Sequence, residues 1–430
     1  MHKIQNHKEL ATDNLRRDAL DIADNGLWAI DTKEAVRRNF EVSEHGIRIA
    51  GRLYPFRVGG GIYVCGVGKA SYEAARELEN ILGNHIAGGV IIDTKPNKPL
   101  KRIQALNASH PFPDVRNIQA ASVLRQKLHG LGERDLVIAL ISGGGSVLLA
   151  SPSSSNLKEE LLITRALFHS GANIKELNTV RKHLSDLRGG GLASLVYPAE
   201  VAAVVFSDVP GDDLQFIASG PFAKDETTRA DAASVLYKYK ILDKCSLPGC
   251  GLVETPKEEK YFARIRHSII VSAKTAVEAM SSRAESLGYD VSSDPLKLSG
   301  EAKKMGEEVA SILHDAPRGK AFIFAGETTV VVSGGGRGGR NLEVALSACQ
   351  NLKEEELILT LASDGRDNGD FAGAIADEKT LDSFLKHGIN LRQALSSNDT
   401  YPAFEKAGNF IYTGSTGSNV SDLLIAIKAK

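Results

Sequence analysis

A chain of 430 residues exceeds what one ordinary core organises, so two domains are expected and three are allowed. Hydrophobic residues at 42% and charged residues at 24% describe a globular protein, and 52 Lys plus Arg against 53 Asp plus Glu leave a net charge of −1. That balance excludes a general nucleic-acid binder, which carries a strongly basic face, while allowing local basic pockets for a small anion.

In chain order, the first stretch, MHKIQNHKELATDNLRRDAL, lacks the apolar run of a signal peptide. No later stretch approaches the roughly 20 apolar residues of a spanning helix, so no membrane partner is expected. Cys65, Cys245, Cys250 and Cys349 make no CxxC pair and no disulfide framework. A soluble, cytoplasmic protein follows as the expectation. Residues 8 to 40 carry apolar positions at helical spacing. From about residue 62 a new rhythm begins, in which a β-branched run ends in small residues and a helix follows. It appears at IYVCGVGKASYEAARELE (62 to 79), DLVIALISGGGSVLLA (135 to 150) and SIIVSAKTAVEAM (268 to 280), then at ELILTLASDGRDNGD (356 to 370) and NFIYTGSTGSNVSDLLIAI (409 to 427). VAAVVFSDVPGD (201 to 212) reads as a strand and an acidic turn, and AFIFAGETTVVVSGGG (321 to 336) as a hairpin or bent strand pair. Strands alternating with helices predict an α/β fold with mostly parallel sheets, in which ligands bind beyond the carboxyl ends of strands. The least patterned region, 243 to 265, holds Pro248, Pro256 and a charge run. The domains are therefore expected at 1–255 and 256–430, with the helices before residue 50 free to pack on either.

Several turns carry residue types suited to an anion. Gly66-Val67-Gly68-Lys69 joins a strand to a helix N-terminus and adds a point charge. The P-loop pattern fails there, because Tyr63 takes the first-glycine position and Ala70 replaces Ser/Thr. The dinucleotide fingerprint fails at Ser71, and close strand–helix packing would explain the glycines without a ligand. Ser142-Gly143-Gly144-Gly145-Ser146 has three glycines where a tight turn needs one, which favours an amide cradle. In ELNTVRKHLSDLRGGGLA (176 to 193), Asn178 and Arg181 are candidates to reach a ligand, while Lys182 reads as a solvated face and His183 as a packed or surface residue. Asp208 and Asp364 stand first in two acidic turns after strands and suit Mg²⁺, which takes one or two carboxylates plus phosphates and water. Asp is equally the ordinary turn residue. His110 sits in a Pro-locked loop, and Thr413, Thr416 and Gly417 lie in TGSTGSN before what reads as a final helix. SGGGRGGRNLEVAL (333 to 346) delivers Arg340 next to Asn341, with Arg337 an accessory charge and Gly338 and Gly339 keeping space clear. Several anion-suited turns, acidic turns and basic residues in one α/β chain point to phosphoryl transfer, which requires positioning and charge neutralisation.

The set CGVGKA, SGGGS, NTVRKHLSDLRGG, SDVPGDDLQFIASGP, GET, GGRNLE, SDG, NDTY and TGSTGSNVSDL, in this order from about residue 60, resembles the MOFRL-type glycerate 2-kinase family. The resemblance implies two α/β domains with Rossmann-like sheets and an active-site cleft between them, with 256–430 as the MOFRL-type domain. It implies ATP- and Mg²⁺-dependent phosphorylation of D-glycerate to 2-phosphoglycerate, with the essential lysine at Lys69 and the essential arginine at Arg340. Glu327 of GET joins the substrate and nucleotide set, and a homodimer is left open. The acidic loop at 363 to 373 is slightly shorter than the family's usual form and carries Phe371, which bears on Asp367 and Asp370. Two other readings stand beside the kinase: an NAD(P)H-dependent hydroxypyruvate reductase, and a non-catalytic phosphosugar- or nucleotide-binding protein.

Overall fold

β-Branched runs such as Val137 to Ile141 and Val201 to Phe206 are buried along their length, the pattern of parallel strands covered on both faces. The computed structural model describes residues 2–152, 157–247 and 251–430, with only the backbone at 295 and 296. Contacts divide the chain into two units, one of residues 35–270 and one joining residues 1–34 to 271–430. Cys65, Cys245 and Cys349 are free thiols; Cys250 and Pro248 lie outside the described residues. Among the described residues no helix is long and apolar enough to cross a membrane.

The 35–270 unit opens with an antiparallel meander, Phe40–Ser43, Gly46–Ile49 and Arg52–Pro55. Its main sheet runs in the order Ile103–Asn107, Ile86–Asp93, Ile62–Val67, Leu136–Ser142, Glu200–Phe206, Ile265–Val271. The first five strands are parallel throughout. The chain builds outward in one direction from Ile62–Val67, then returns to its other side at Leu136–Ser142. The strand order therefore reverses between these two, and such a switch point opens a crevice at the carboxyl ends of the strands. A helical lobe of Leu157–His169, Ile174–His183, Arg229–Lys238 and Ile241–Cys245 closes over Ile163, Leu167, Val180, Leu184 and Leu236. Here Lys182 departs from the sequence reading. It is 4% exposed rather than solvated, and its Nζ meets the buried Asp225 carboxylate at 2.9 Å. His183 is fully buried, with Nδ1 2.8 Å from the Thr179 carbonyl.

The second unit has the sheet order Asp290–Leu298, Lys320–Gly326, Asp422–Lys428, Glu356–Ala362, Gly373–Asp377, Phe410–Ile411. It is α/β as expected, but its strands are not mostly parallel. Only the first pair is parallel, and the other pairings are antiparallel. The cause is the last segment. DLLIAIK is a strand, not a helix, inserted antiparallel between two others and buried from Asp422 to Ile427. A short, wholly apolar run has no period with which to separate helix from strand. The expected hairpin at 321 to 336 is likewise one strand, followed by irregular chain with a single bridge from Thr329 to Glu301. Helices Ala302–Asp315 and Arg340–Cys349 pack on the face carrying Phe324, Ile358, Leu424 and Ala426. The N-terminal helix Asn14–Ala29 belongs to this unit. Its buried Arg16 donates to both Asp377 oxygens, at 2.6 and 2.7 Å, and to Asn409.

Candidate active site

At the switch point of the 35–270 unit, the GVGK turn spends its polar groups internally. Gly68 N donates to Ile92 O, Lys69 N to Gly143 O and Ala70 N to Ser142 Oγ. The following helix, Ser71–Leu82, is closed by Asp93, whose Oδ2 accepts from Tyr72 N at 2.9 Å. Gly66 and Gly68 answer to packing. A Cβ on Gly66 would meet Ile91, and one on Gly68 would run into Ser142 at a φ of +121°. The anion cradle lies one turn further on. In Ser142-Gly143-Gly144-Gly145-Ser146 the carbonyls are used, since Gly143 O accepts from Lys69 and Gly144 O from Val147 and Leu148. Among the described residues no acceptor meets the N–H groups of Gly143, Gly144 or Gly145. Gly144 has a φ of +81°, and the Lys69 side chain and His110 imidazole both lie within 3.3 Å of where its Cβ would be. Burial, and then the Lys69 charge, hold the His110 pKa below its usual value, so the imidazole is neutral at pH 7. Asp208 packs on Gly143 so closely that a Cβ there would fall on its carboxylate. The turn thus brings Lys69, His110 and Asp208 together.

Ser146 extends this corner. Its hydroxyl is 2.7 Å from Ser219 Oγ, which donates to Asn178 Oδ1 at 2.9 Å. Since Ser219 has spent its only hydrogen on Asn178, Ser146 is the donor to Ser219, and its own lone pairs stay available. Sequence reading had missed Ser219. It and Ala218 hold positive φ, at 59° and 52°, in the segment IASGP. Outside glycine that conformation is uncommon and costly, which makes it a mark of a constrained site.

In the second unit Arg340 opens the helix Arg340–Cys349. Its guanidinium bonds Asp422 through Nε and Nη2, and reaches Glu327 at 3.2 Å. Asp422 is 2% exposed, and burial pushes its carboxyl up to about 6 against the opposing pull of Arg340. Burial acts most strongly, and against the Arg340 charge, but the bond to Asp422 together with the charges of Asp422, Glu327 and Asp367 outweighs it and the net shift is upward. Asp367 caps the same helix, accepting from Asn341 N at 3.1 Å and Leu342 N at 2.9 Å. Phe371 stacks on Phe410 at 4.8 Å between ring centroids, which anchors the shortened loop. The glycines of SGGGRGGR do not clear space around Arg340. Cβ atoms on Gly334 and Gly336 would meet Ser397 and Asp399, on Gly338 Thr400, and on Gly339 Asp367. They let this loop lie on the NDTY segment, where Arg337 stacks over the Tyr401 ring at 3.7 Å. Asp364 lies by the TGSTG loop. Thr416 N donates to Asp364 O, Thr416 Oγ1 to Ser363 O, and Gly365 packs on Gly414 and Thr413. Gly417 is held through its carbonyl by Thr32 Oγ1 at 3.2 Å. Neither Asp208 nor Asp364 belongs to a group of three metal-ligating side chains; among the described residues that arrangement occurs at His2, His7 and Asp21.

A lysine laid along an amide-rich turn, at the point where a parallel sheet reverses its order, is how α/β enzymes hold phosphate, and this chain falls in that class. Comparison with known proteins narrows the class. Residues 18–248 match a family model described as a domain of unknown function, DUF4147, and residues 320–422 match the MOFRL family. A Pyrococcus horikoshii protein named glycerate 2-kinase is 38% identical, over 96% of this chain and 97% of its own. The crystal structure of a Thermotoga maritima glycerate kinase superposes with a TM-score of 0.85 at 33% identity, covering 96% of this chain and 99% of that one. An Agrobacterium vitis relative, 38% identical over 92% of this chain and 94% of its own, is provisionally named a hydroxypyruvate reductase. The chain belongs to the glycerate 2-kinase family.

Proposed function

We propose that the protein transfers the γ-phosphoryl group of ATP to the 2-hydroxyl of D-glycerate, giving 2-phosphoglycerate and ADP in the cytoplasm. The observation that carries this reading is the Ser142–Ser146 turn, whose amides find no acceptor among the described residues while Lys69 lies against Gly144. Amides and ammonium together suit a multiply charged phosphate. In the reaction the 2-hydroxyl oxygen forms a bond to phosphorus, the bond from phosphorus to the bridging oxygen of ADP breaks with its electrons going to ADP, and the hydroxyl proton passes to water. Lys69 and Arg340 neutralise charge on the transferring group, and Asn341, Thr413, Thr416 and Gly417 contribute to holding substrate or nucleotide. Glu327 and Asp422 hold the Arg340 guanidinium. Asp208, a carboxylate packed on the phosphate turn, fits an ion that takes few protein ligands, and Asp364 is the corresponding candidate of the second unit. Mg²⁺ held there would neutralise terminal phosphate charge. The reductase reading is weaker. The GVGK amides are already bonded, and Asp93, the acidic residue ending the adjacent strand, is spent on Tyr72, Thr94 and Lys95 rather than left for a ribose.

The test is incubation with D-glycerate, ATP and Mg²⁺, with products resolved by ³¹P NMR. 2-Phosphoglycerate is expected, and Lys69→Ala and Arg340→Ala should each lower turnover by roughly 10³-fold or more with the fold intact. NADH oxidation with hydroxypyruvate and no ATP turnover would overturn the reading, as would near-normal activity in both variants.

A further inference from the structure

Next to the Ser142–Ser146 turn, and wholly inside the 35–270 unit, lies a small cavity open to solvent. Its polar lining is Ser146, Glu160, Thr164, Arg165, Arg181 and Arg188, and its apolar wall includes Phe112. Arg188 and Glu160 are 1% and 4% exposed and bond through Nη1 and Oε1 at 2.7 Å. That bond leaves a remainder on each side. Arg188 Nε and Glu160 Oε2 are buried and, among the described residues, have no hydrogen-bond partner. A buried polar atom without a partner is costly, and two on residues that line one cavity ask for a ligand. Arg181 is largely withdrawn from water, and burial, then the Arg188 charge, draw its pKa down. Arg165 lies over the Phe112 ring at 4.6 Å. Three guanidiniums against one carboxylate leave the lining net positive.

We propose that this cavity is the acceptor subsite and that it selects a small 2-hydroxy acid bearing a second hydroxyl. The proposal rests on the kinase reading above. The substrate carboxylate takes Arg181 and Arg188 Nε, the pairing for which guanidinium geometry is suited. The distal hydroxyl donates to Glu160 Oε2. A phosphate dianion would satisfy the arginines but set its second charge against the Glu160 carboxylate. A dihydroxy acid supplies both the anion and the donor. Ser146 connects the two halves of the site, because it lines the cavity and belongs to the turn that carries Gly144 against Lys69. The 2-hydroxyl of a substrate seated here is thereby placed beside the phosphate turn.

Two variants and one wild-type measurement test this. Arg181→Gln should raise KM for D-glycerate by roughly 30-fold while KM for ATP changes less than about twofold, with Arg181→Lys recovering part of the loss. Wild type should prefer D-glycerate over D-lactate, which lacks the distal hydroxyl, by at least about 10²-fold, since rejecting the analogue leaves Glu160 unpaired. Glu160→Gln should erode that preference by about tenfold or more. If Glu160→Gln does not fold, the wild-type ratio decides alone. Calorimetric titration of wild type and Arg181→Gln with D-glycerate, without nucleotide, separates this idea from the kinase reading. Binding lost in the variant supports the subsite even if no phosphorylated product forms. Unaltered binding in the variant, a rise in KM for ATP alone, or a glycerate-to-lactate ratio below about tenfold overturns it.

Discussion

Asp422→Asn separates the function of a buried carboxylate from its cost. Asp422 is 2% exposed, and its carboxyl is pushed from 3.8 up to about 6 by burial, although Arg340 pulls it the other way. The sign follows from linkage. Between 3.8 and about 6 the unfolded chain gives up this proton and the folded chain keeps it, so stability falls as pH rises through that window. Above about 6 the loss is complete; two units at about 1.4 kcal/mol each amount to about 3 kcal/mol. That net cost already includes the pull of Arg340, so Asp422→Asn at pH 8 should melt no lower than wild type. Turnover should move the opposite way. Ionised Asp422 fixes the guanidinium at the start of its helix, so wild-type kcat/KM should fall on an acid limb with an apparent pKa near 6. The variant should lose that limb and run on the order of 10- to 100-fold slower, a fraction of what a whole catalytic arginine contributes. The assays are a pH profile of kcat/KM from 5 to 9 and thermal melts at pH 5 and 8. A variant that keeps the limb, or that melts well below wild type at pH 8, refutes the reasoning.

Two further substitutions divide packing from chemistry. Gly143→Ala puts a methyl onto the Asp208 carboxylate, so the Mg²⁺ concentration for half-maximal activity should rise about tenfold or more, read by metal titration at saturating ATP. An unchanged metal requirement would remove Asp208 from that role. Lys182→Met leaves Asp225 as a buried charge without its ammonium and should destabilise the fold by about 3 to 5 kcal/mol in denaturant melts, with KM for both substrates unchanged. An altered KM would return Lys182 to the site.

The strand–turn–helix rhythm was legible because parallel strands carry β-branched runs and end in small residues, and it put the GVGK and SGGGS turns at strand ends. Two things were hidden. The strand Asp422–Lys428 has no polar face, so its sequence fits a buried helix as well. The glycines of SGGGRGGR record that something approaches closely without saying what. It is Ser397 and Asp399 at Gly334 and Gly336, Thr400 at Gly338 and Asp367 at Gly339, not a ligand. Charge reading failed for the same reason at Lys182, and the buried pairing of Arg188 carried no local signal either. Their carboxylates, Asp225 and Glu160, lie 43 and 28 residues away, beyond any local spacing rule.

A glycine-rich turn and a buried arginine therefore each need an accounting of partners before they mean anything. At GVGK every amide from Gly68 to Tyr72 has an acceptor inside the protein, so the turn holds structure and leaves only Lys69 to act on a ligand. At SGGGS the carbonyls are spent and the amides of Gly143 to Gly145 are not, among the described residues. At Arg188 one guanidinium nitrogen is paired and another is left over, opposite a carboxylate oxygen in the same condition. Both remainders lie in the same unit, and Ser146 belongs to the turn of the first and lines the cavity of the second. In the proposed function a phosphate accounts for the first remainder and a hydroxy acid for the second, the pair of substrates a glycerate kinase must bring together.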